Sequence, residues 1–253
     1  MGDNRFKSRI LAGKPTVGIW CNITDPVVTE ICASSGFDWL LIDAEHAPAD
    51  TRTVLHSLQA AAPYDSEIIV RPPFGDAVWM KRLLDIGARN LLIPMVETRE
   101  QAEALAAAMC FPPRGTRGVS SQTRAGNWGR NKDYLHQARD QLCLIVQIES
   151  AKAVENVTSI ARVSGVDALF VGTADLAASL GHLGNPGHPE VKAAVEHVAA
   201  TAREIGIPLG TLTRDVEAAR RYLESGFSFV GVGTDTAILA DSLTRLRQSF
   251  DLG

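Results

Sequence analysis

The feature that most constrains the fold is a repeated unit in which an amphipathic stretch ends at a glycine and a short apolar run follows. Gly36 precedes Phe37-Asp38-Trp39-Leu40-Leu41-Ile42, and Gly87 precedes Asn90-Leu91-Leu92-Ile93-Pro94. Gly165 precedes Ala168-Leu169-Phe170-Val171, Gly206 precedes Ile207-Pro208-Leu209, and Gly226 precedes Phe229-Val230-Gly231-Val232. This is helix-then-strand punctuation, because glycine ends a helix without steric cost and a buried parallel strand is a short continuous apolar run. Asp25-Pro26 opens one such helix, a capping carboxylate followed by a proline whose missing N–H costs nothing in the first turn. Three further runs, Val17-Gly18-Ile19-Trp20, Glu67 to Arg71 and Cys143 to Gln147, bring the number of expected strands to eight.

Eight buried strands alternating with helices predict an α/β fold, a closed (β/α)8 TIM barrel, over an open sheet. The 253 residues suit one such barrel, and no composition shift marks a linker, so residues 1–253 are expected to form a single domain. The stretch from Arg5 to Ala12 predicts an extra N-terminal helix. Two connections are long, from about Phe111 to Leu142 and from Gly181 to Pro189, the usual places for lids or interface arms.

Composition narrows the partners. A net charge of -4 gives no basic footprint for nucleic acid or an anionic membrane, which leaves small molecules as the expected partner. No apolar run approaches a membrane span and the segment from Met1 to Arg5 lacks the apolar core of a secretory signal, so a cytoplasmic location is expected. The four cysteines, Cys21, Cys32, Cys110 and Cys143, lack the paired spacing of zinc or redox motifs and are expected to be plain thiols.

In a barrel every strand ends at the same mouth, where the chemistry sits. The expected strand ends are Trp20, Asp43-Ala44-Glu45-His46, Arg71, Gln147-Ile148-Glu149 and Gly172-Thr173-Ala174-Asp175. Glu149 and Asp175, on neighbouring strand ends, would repel unless a cation or proton lay between them. Their hard oxygens suit Mg²⁺ or Mn²⁺, with Co²⁺ or Zn²⁺ as alternatives. Each taken singly also fits a helix N-cap. His46 is the one histidine of six at an expected strand end and is the candidate base, whereas His56, His136, His182, His188 and His197 fall in helices or connections. Arg71 suits a substrate carboxylate or a developing oxyanion, or else a structural ion pair with Asp43 or Glu45. Those two acids could equally orient His46.

A hard metal, an imidazole and an arginine suit a 2-oxo acid that enolises and adds to an aldehyde, with the metal as Lewis acid. The Schiff-base alternative needs a lysine at a strand end. Lys7, Lys14, Lys81, Lys132, Lys152 and Lys192 all fall elsewhere.

These residues resemble the class II pyruvate aldolases of the HpcH/HpaI family, typified by 4-hydroxy-2-oxoheptanedioate aldolase. The resemblance covers nearly the whole chain. It rests on Gly36 to Asp43 with Glu45-His46, on Pro112-Pro113-Arg114-Gly115 with Arg117-Gly118, on Gln147-Ile148-Glu149, and on Ala174-Asp175-Leu176 with Gly181. It implies that Glu149 and Asp175 bind the metal, that His46 accepts the proton, and that Arg71 stabilises the transition state while contacting substrate. It further implies that Gln147, Ala174 and Asp175 line the substrate site, beside Trp20 at the end of the first strand. Asp85 is implied to raise the basicity of the histidine, although its place near the end of a helix is remote from its own mouth. A contribution across a subunit interface fits the implied homohexamer, a dimer of trimers. Two departures stand out: Thr173 replaces the family's usual proline, and Val119-Ser120-Ser121 replaces a glycine-bearing form. Both leave the metal ligands intact. The implied activity is aldol addition and cleavage through the enolate of pyruvate or hydroxypyruvate, with an aldehyde partner and oxaloacetate decarboxylation as a side activity. An acyl-coenzyme A lyase and a non-catalytic 2-oxo-acid-binding protein are the alternatives.

Overall fold

The computed structural model describes residues 3–250; residues 1–2 and 251–253, the ends of the expected single-domain span and the start of the segment weighed as a signal, lie outside the described residues. Eight parallel strands close into a barrel in sequence order: β1 (Thr16–Cys21), β2 (Trp39–Asp43), β3 (Glu67–Arg71), β4 (Asn90–Ile93), β5 (Cys143–Ile148), β6 (Ala168–Val171), β7 (Leu209–Leu212) and β8 (Phe229–Thr234). β1 pairs with β8 to complete the ring, with a register shift between Gly18 and Trp20. Seven of the expected strand positions agree to within one or two residues at each end. β7 is the correction: it runs Leu209–Leu212 where Ile207 to Leu209 was expected. Pro208 offers no N–H to a ladder, and Leu-Gly-Thr-Leu lacks the β-branched density that marks a strand.

The helices carry the expected punctuation. Asp25 accepts from the amide of Val27 at the start of helix Pro26–Ser34, and φ is +100° at Gly87 and +99° at Gly226, where a side chain would be strained. The N-terminal helix is present at Arg5–Leu11 and its apolar side closes the bottom of the barrel. Phe6 stands edge-on to Phe229 at 5.4 Å and to Trp39 at 6.3 Å between ring centroids. Beside it Asn4 donates to Asn90 at 2.7 Å, which satisfies two polar side chains that would otherwise be buried unpaired.

Two apolar layers result. The barrel interior holds Trp20, Trp39, Leu41, Ile69, Leu92, Ile145, Phe170 and Phe229 with Phe6 and Ile10, and a larger shell fills the space between strands and helices. Gly18 makes room for the Trp39 indole, since a Cβ there would lie 2.1 Å from it. The interior is thus packed, and open space appears where the strands end. The connection from Phe111 to Leu142 folds into short turns of helix, Tyr134–Gln137 among them, so His136 is helical and not in an irregular stretch.

Candidate active site

Strand register delivers Asp43 and Arg71 side by side, since they are direct partners at the ends of β2 and β3. Arg71 Nε and Nη2 donate to the two oxygens of Asp43 at 2.9 and 2.6 Å, and Nη1 lies 2.9 Å from Glu45. The guanidinium also stacks 5.1 Å from the centroid of Trp20, whose indole N–H points to Asp43 at 3.4 Å. Burial alone would push Asp43 up, but the hydrogen bonds and charge of Arg71 outweigh it and hold the carboxyl below its usual range. Burial also opposes the charge of Arg71, yet Asp43, Glu45 and Glu149 keep it above its ordinary value. The ion-pair reading of Arg71 therefore holds, with Asp43 and with Glu45. It is ion-paired, and it remains at the rim with a third carboxylate in its field.

Glu149 follows β5 and is buried at 2% exposure. The amide of Met95 donates to its Oε1 at 2.7 Å, and the Gln147 amide donates to Oε2. Burial pushes its carboxyl up to about 7; the Met95 bond works against this, while Asp175 and Glu45 add to it and Arg71 subtracts. Gly172 is what lets β6 approach, because a Cβ there would sit 2.4 Å from Glu149 Oε2 and 2.7 Å from Gln147 Nε2. Asp175 lies in the first turn of helix Thr173–Ser179 and is exposed at the mouth. Glu149 caps no helix; Ser150 does that for Ala151–Glu155. The cap alternative therefore fails for Glu149.

A cavity of about 230 Å³ at the mouth is lined by Trp20, Asp43, His46, Arg71, Gln147, Ala174 and Asp175 of the expected site, joined by Asn22, Phe170, Leu212 and Thr234. His46 is 62% exposed with Nε2 3.8 Å from Glu45, whose own carboxyl burial holds above its usual value. The cavity is thus polar toward Asp43, Arg71 and Asp175 and apolar toward Phe170 and Leu212. No lysine lines it, as expected.

The carboxylate pair fits a divalent cation on chemical grounds. Its donors are oxygens only, the buried member is held toward protonation by burial and by its acidic neighbours, and Gln147 Oε1 is a buried acceptor without a partner. A cation would favour ionised Glu149 where the site now disfavours it.

Asp85 does not join these residues within the chain. It ends helix Ala77–Asp85, which starts beyond β3 at the mouth and runs back to the opposite end of the barrel, and it receives a bond from Arg117 at 2.7 Å. Sequence reasoning missed Asn22, Phe170, Leu212 and Thr234, whose types carry no catalytic signal. It also passed over Asp235, whose carboxylate accepts from the amides of Asn22 and Ile23 at 2.9 Å each and so fixes the β1 loop.

With a barrel mouth bearing this carboxylate pair, the sequence profile that matches is that of the HpcH/HpaI aldolase/citrate lyase family, over residues 16–242. The chain belongs to that family. Among its relatives, a hydroxypyruvate/pyruvate aldolase of Pseudomonas aeruginosa is 49% identical over 99% of this chain and 94% of that one. A 4-hydroxy-2-oxo-heptane-1,7-dioate aldolase of Salmonella enteritidis PT4 is 48% identical over 98% and 94%. The crystal structure of a family protein from Burkholderia cenocepacia J2315 superposes with a TM-score of 0.95 at 41% identity, covering 97% of this chain and 98% of that one.

Proposed function

We propose that this protein is a divalent-metal-dependent class II aldolase that joins and cleaves carbon–carbon bonds through the enolate of pyruvate or hydroxypyruvate, with an aldehyde as acceptor. The observation that carries the reading is a buried glutamate, held near neutrality at about 7 mainly by burial and in part by the charge of Asp175, at a barrel mouth whose cavity Asp175, Arg71 and His46 line. Relatives named as hydroxypyruvate/pyruvate and 4-hydroxy-2-oxo-heptane-1,7-dioate aldolases support the same substrate class. Glu149 and Asp175 would hold Mg²⁺ or Mn²⁺, or alternatively Co²⁺ or Zn²⁺, and the ion supplies Lewis-acid stabilisation of the negative charge on the substrate's keto oxygen.

The remaining work falls to side chains. Asp43 and Glu45 fix the Arg71 guanidinium, so it meets a developing oxyanion without reorganising. Gln147 and Ala174 line the donor end, and Trp20, Phe170 and Leu212 exclude water around the reacting carbon. His46 is the group placed to take the hydroxyl proton in cleavage and return it to the aldehyde oxygen in addition. Its exposure to solvent lets that proton equilibrate with bulk. Oxaloacetate decarboxylation passes through the same enolate and needs no hydroxyl base. The proposal includes a cytoplasmic homohexamer built from two trimers, in which Asp85 of a neighbouring copy supports the histidine; the distance of Asp85 from its own mouth favours that assignment.

The test is exchange of the methyl protons of pyruvate with deuterated water, followed by NMR with the purified protein and Mg²⁺ or Mn²⁺. Metal-dependent exchange is expected. No exchange above the protein-free rate removes the enolate mechanism.

A further inference from the structure

Beyond the mouth, the loop after the Asp175 helix gathers ligand-type side chains that the aldol reaction does not use. His182, His188 and Glu190 each present one donor atom, and these atoms lie within 4.8 Å of one another. The backbone brings them together. His182 N–H donates to Ala177 O at 2.7 Å, Asn185 N–H to His182 O at 2.9 Å, and His188 N–H to Asn185 O at 3.1 Å. His188 then caps helix Pro189–Ile205, its Nδ1 accepting from the Glu190 amide at 3.3 Å. That bond fixes the tautomer need of Nδ1 and leaves Nε2 as the free ligand atom.

The side chains already lie together, although the rings must turn out of their stack to aim two lone pairs at one ion. His182 Nε2 meets Glu190 Oε2 at 2.7 Å, and the two imidazoles stack at 3.4 Å between centroids and 20° between planes. His182 is 23% exposed and Glu190 59%, which leaves the cluster open to an ion from solvent.

We propose that His182, His188 and Glu190 form a second metal site, for a borderline transition ion of the Zn²⁺ class. Two imidazole nitrogens and one carboxylate suit Zn²⁺ far better than Mg²⁺, the reverse of the all-oxygen pair at the mouth. On binding, the proton between His182 Nε2 and Glu190 leaves Nε2, for Nδ1 of the same ring from a neutral imidazole or for solvent from an imidazolium; Nε2 of His182 and of His188 and one Glu190 oxygen become ligands, and water takes the fourth position. Tetrahedral ligands on zinc stand about 3.3 Å apart, so side-chain rotation suffices and the backbone stays as it is. The ion joins the end of helix Thr173–Ser179, which carries Asp175, to the start of helix Pro189–Ile205. It would therefore brace one wall of the mouth. This goes beyond the proposed aldol chemistry and does not depend on it.

The experiment uses the full chain carrying Asp175→Ala, which disables the mouth site, titrated with Zn²⁺ by calorimetry and with Co²⁺ by visible absorption in excess Mg²⁺. One Zn²⁺ per chain is expected, with the intense visible bands of tetrahedral Co²⁺. Adding His182→Ala or, separately, Glu190→Gln is expected to weaken binding at least tenfold. Glu190 lies in the exposed first turn of its helix, so its variant decides the matter where His182→Ala fails to fold. Absence of stoichiometric Zn²⁺ binding overturns the site, as does binding that survives Glu190→Gln unchanged.

Discussion

Replacing Glu149 with glutamine is expected to stabilise the metal-free protein at alkaline pH while destroying the mouth metal site. Burial raises the Glu149 carboxyl from 4.5 to about 7, so the folded state binds its proton more tightly than the unfolded chain does. For a raised acid the sign is the opposite of the usual carboxylate: its contribution is fully favourable below pH 4.5 and is lost as pH rises to about 7. Between pH 5 and pH 8 the loss is about 2.5 kcal/mol, at ~1.4 kcal/mol for each pH unit over which only the folded state holds the proton. Glutamine cannot ionise and carries no such slope. It also fits: its carbonyl keeps the Met95 amide bond, and its NH₂ faces Gln147, whose unpartnered Oε1 can turn to accept it. Urea unfolding in EDTA at pH 5, 6, 7 and 8 provides the measurement. Wild type is expected to lose about 2.5 kcal/mol relative to Glu149→Gln across that range, and saturating Mg²⁺ or Mn²⁺ should recover the difference for wild type alone. Parallel stability profiles in EDTA would mean that Glu149 is already ionised in the metal-free fold, and the argument from burial would be abandoned.

Other substitutions separate the remaining roles. Asp175→Ala is expected to abolish metal-dependent exchange of pyruvate protons with little change in unfolding midpoint, since Asp175 is exposed; exchange retained at ordinary Mg²⁺ concentrations would remove it from the ligand set. His46→Ala should depress aldol cleavage by about 10²- to 10⁴-fold and oxaloacetate decarboxylation much less, as read by paired steady-state assays; equal losses would give His46 a broader role. Gly172→Ala puts a Cβ 2.4 Å from Glu149 Oε2, so metal affinity measured by calorimetry should fall while the circular dichroism spectrum stays that of the barrel. Gly18→Ala acts at the other extreme, placing a Cβ 2.1 Å from Trp39, and overpacking of about 1–3 kcal/mol or more should appear in chemical unfolding.

Much of the site was legible because a barrel converts strand ends into neighbours. Once Asp43, Arg71, Gln147 and Glu149 were assigned to the ends of β2, β3 and β5, their convergence followed from the fold class alone. The register of β7 was not legible, because a strand of Leu-Gly-Thr-Leu owes its place to packing of Gly210 under the Phe229 ring, a contact between separate strands. His182 and His188 looked unremarkable in the sequence for a related reason. Their stack depends on the turn through Gly184, with φ of +76°, which folds the five residues between them back on themselves.

The eightfold alternation, the glycine stops and the capping carboxylates are local properties, set by backbone sterics and apolar periodicity, and the sequence by itself therefore determined the barrel and the strand ends that carry Asp43, Arg71 and Gln147 to its mouth. Protonation and pairing are different, because they depend on distance and on exclusion of water. Only the tertiary structure decided that Arg71 is clamped by Asp43 and Glu45, that burial raises the Glu149 carboxyl to about 7, and that Gly172 leaves the space Glu149 and Gln147 occupy.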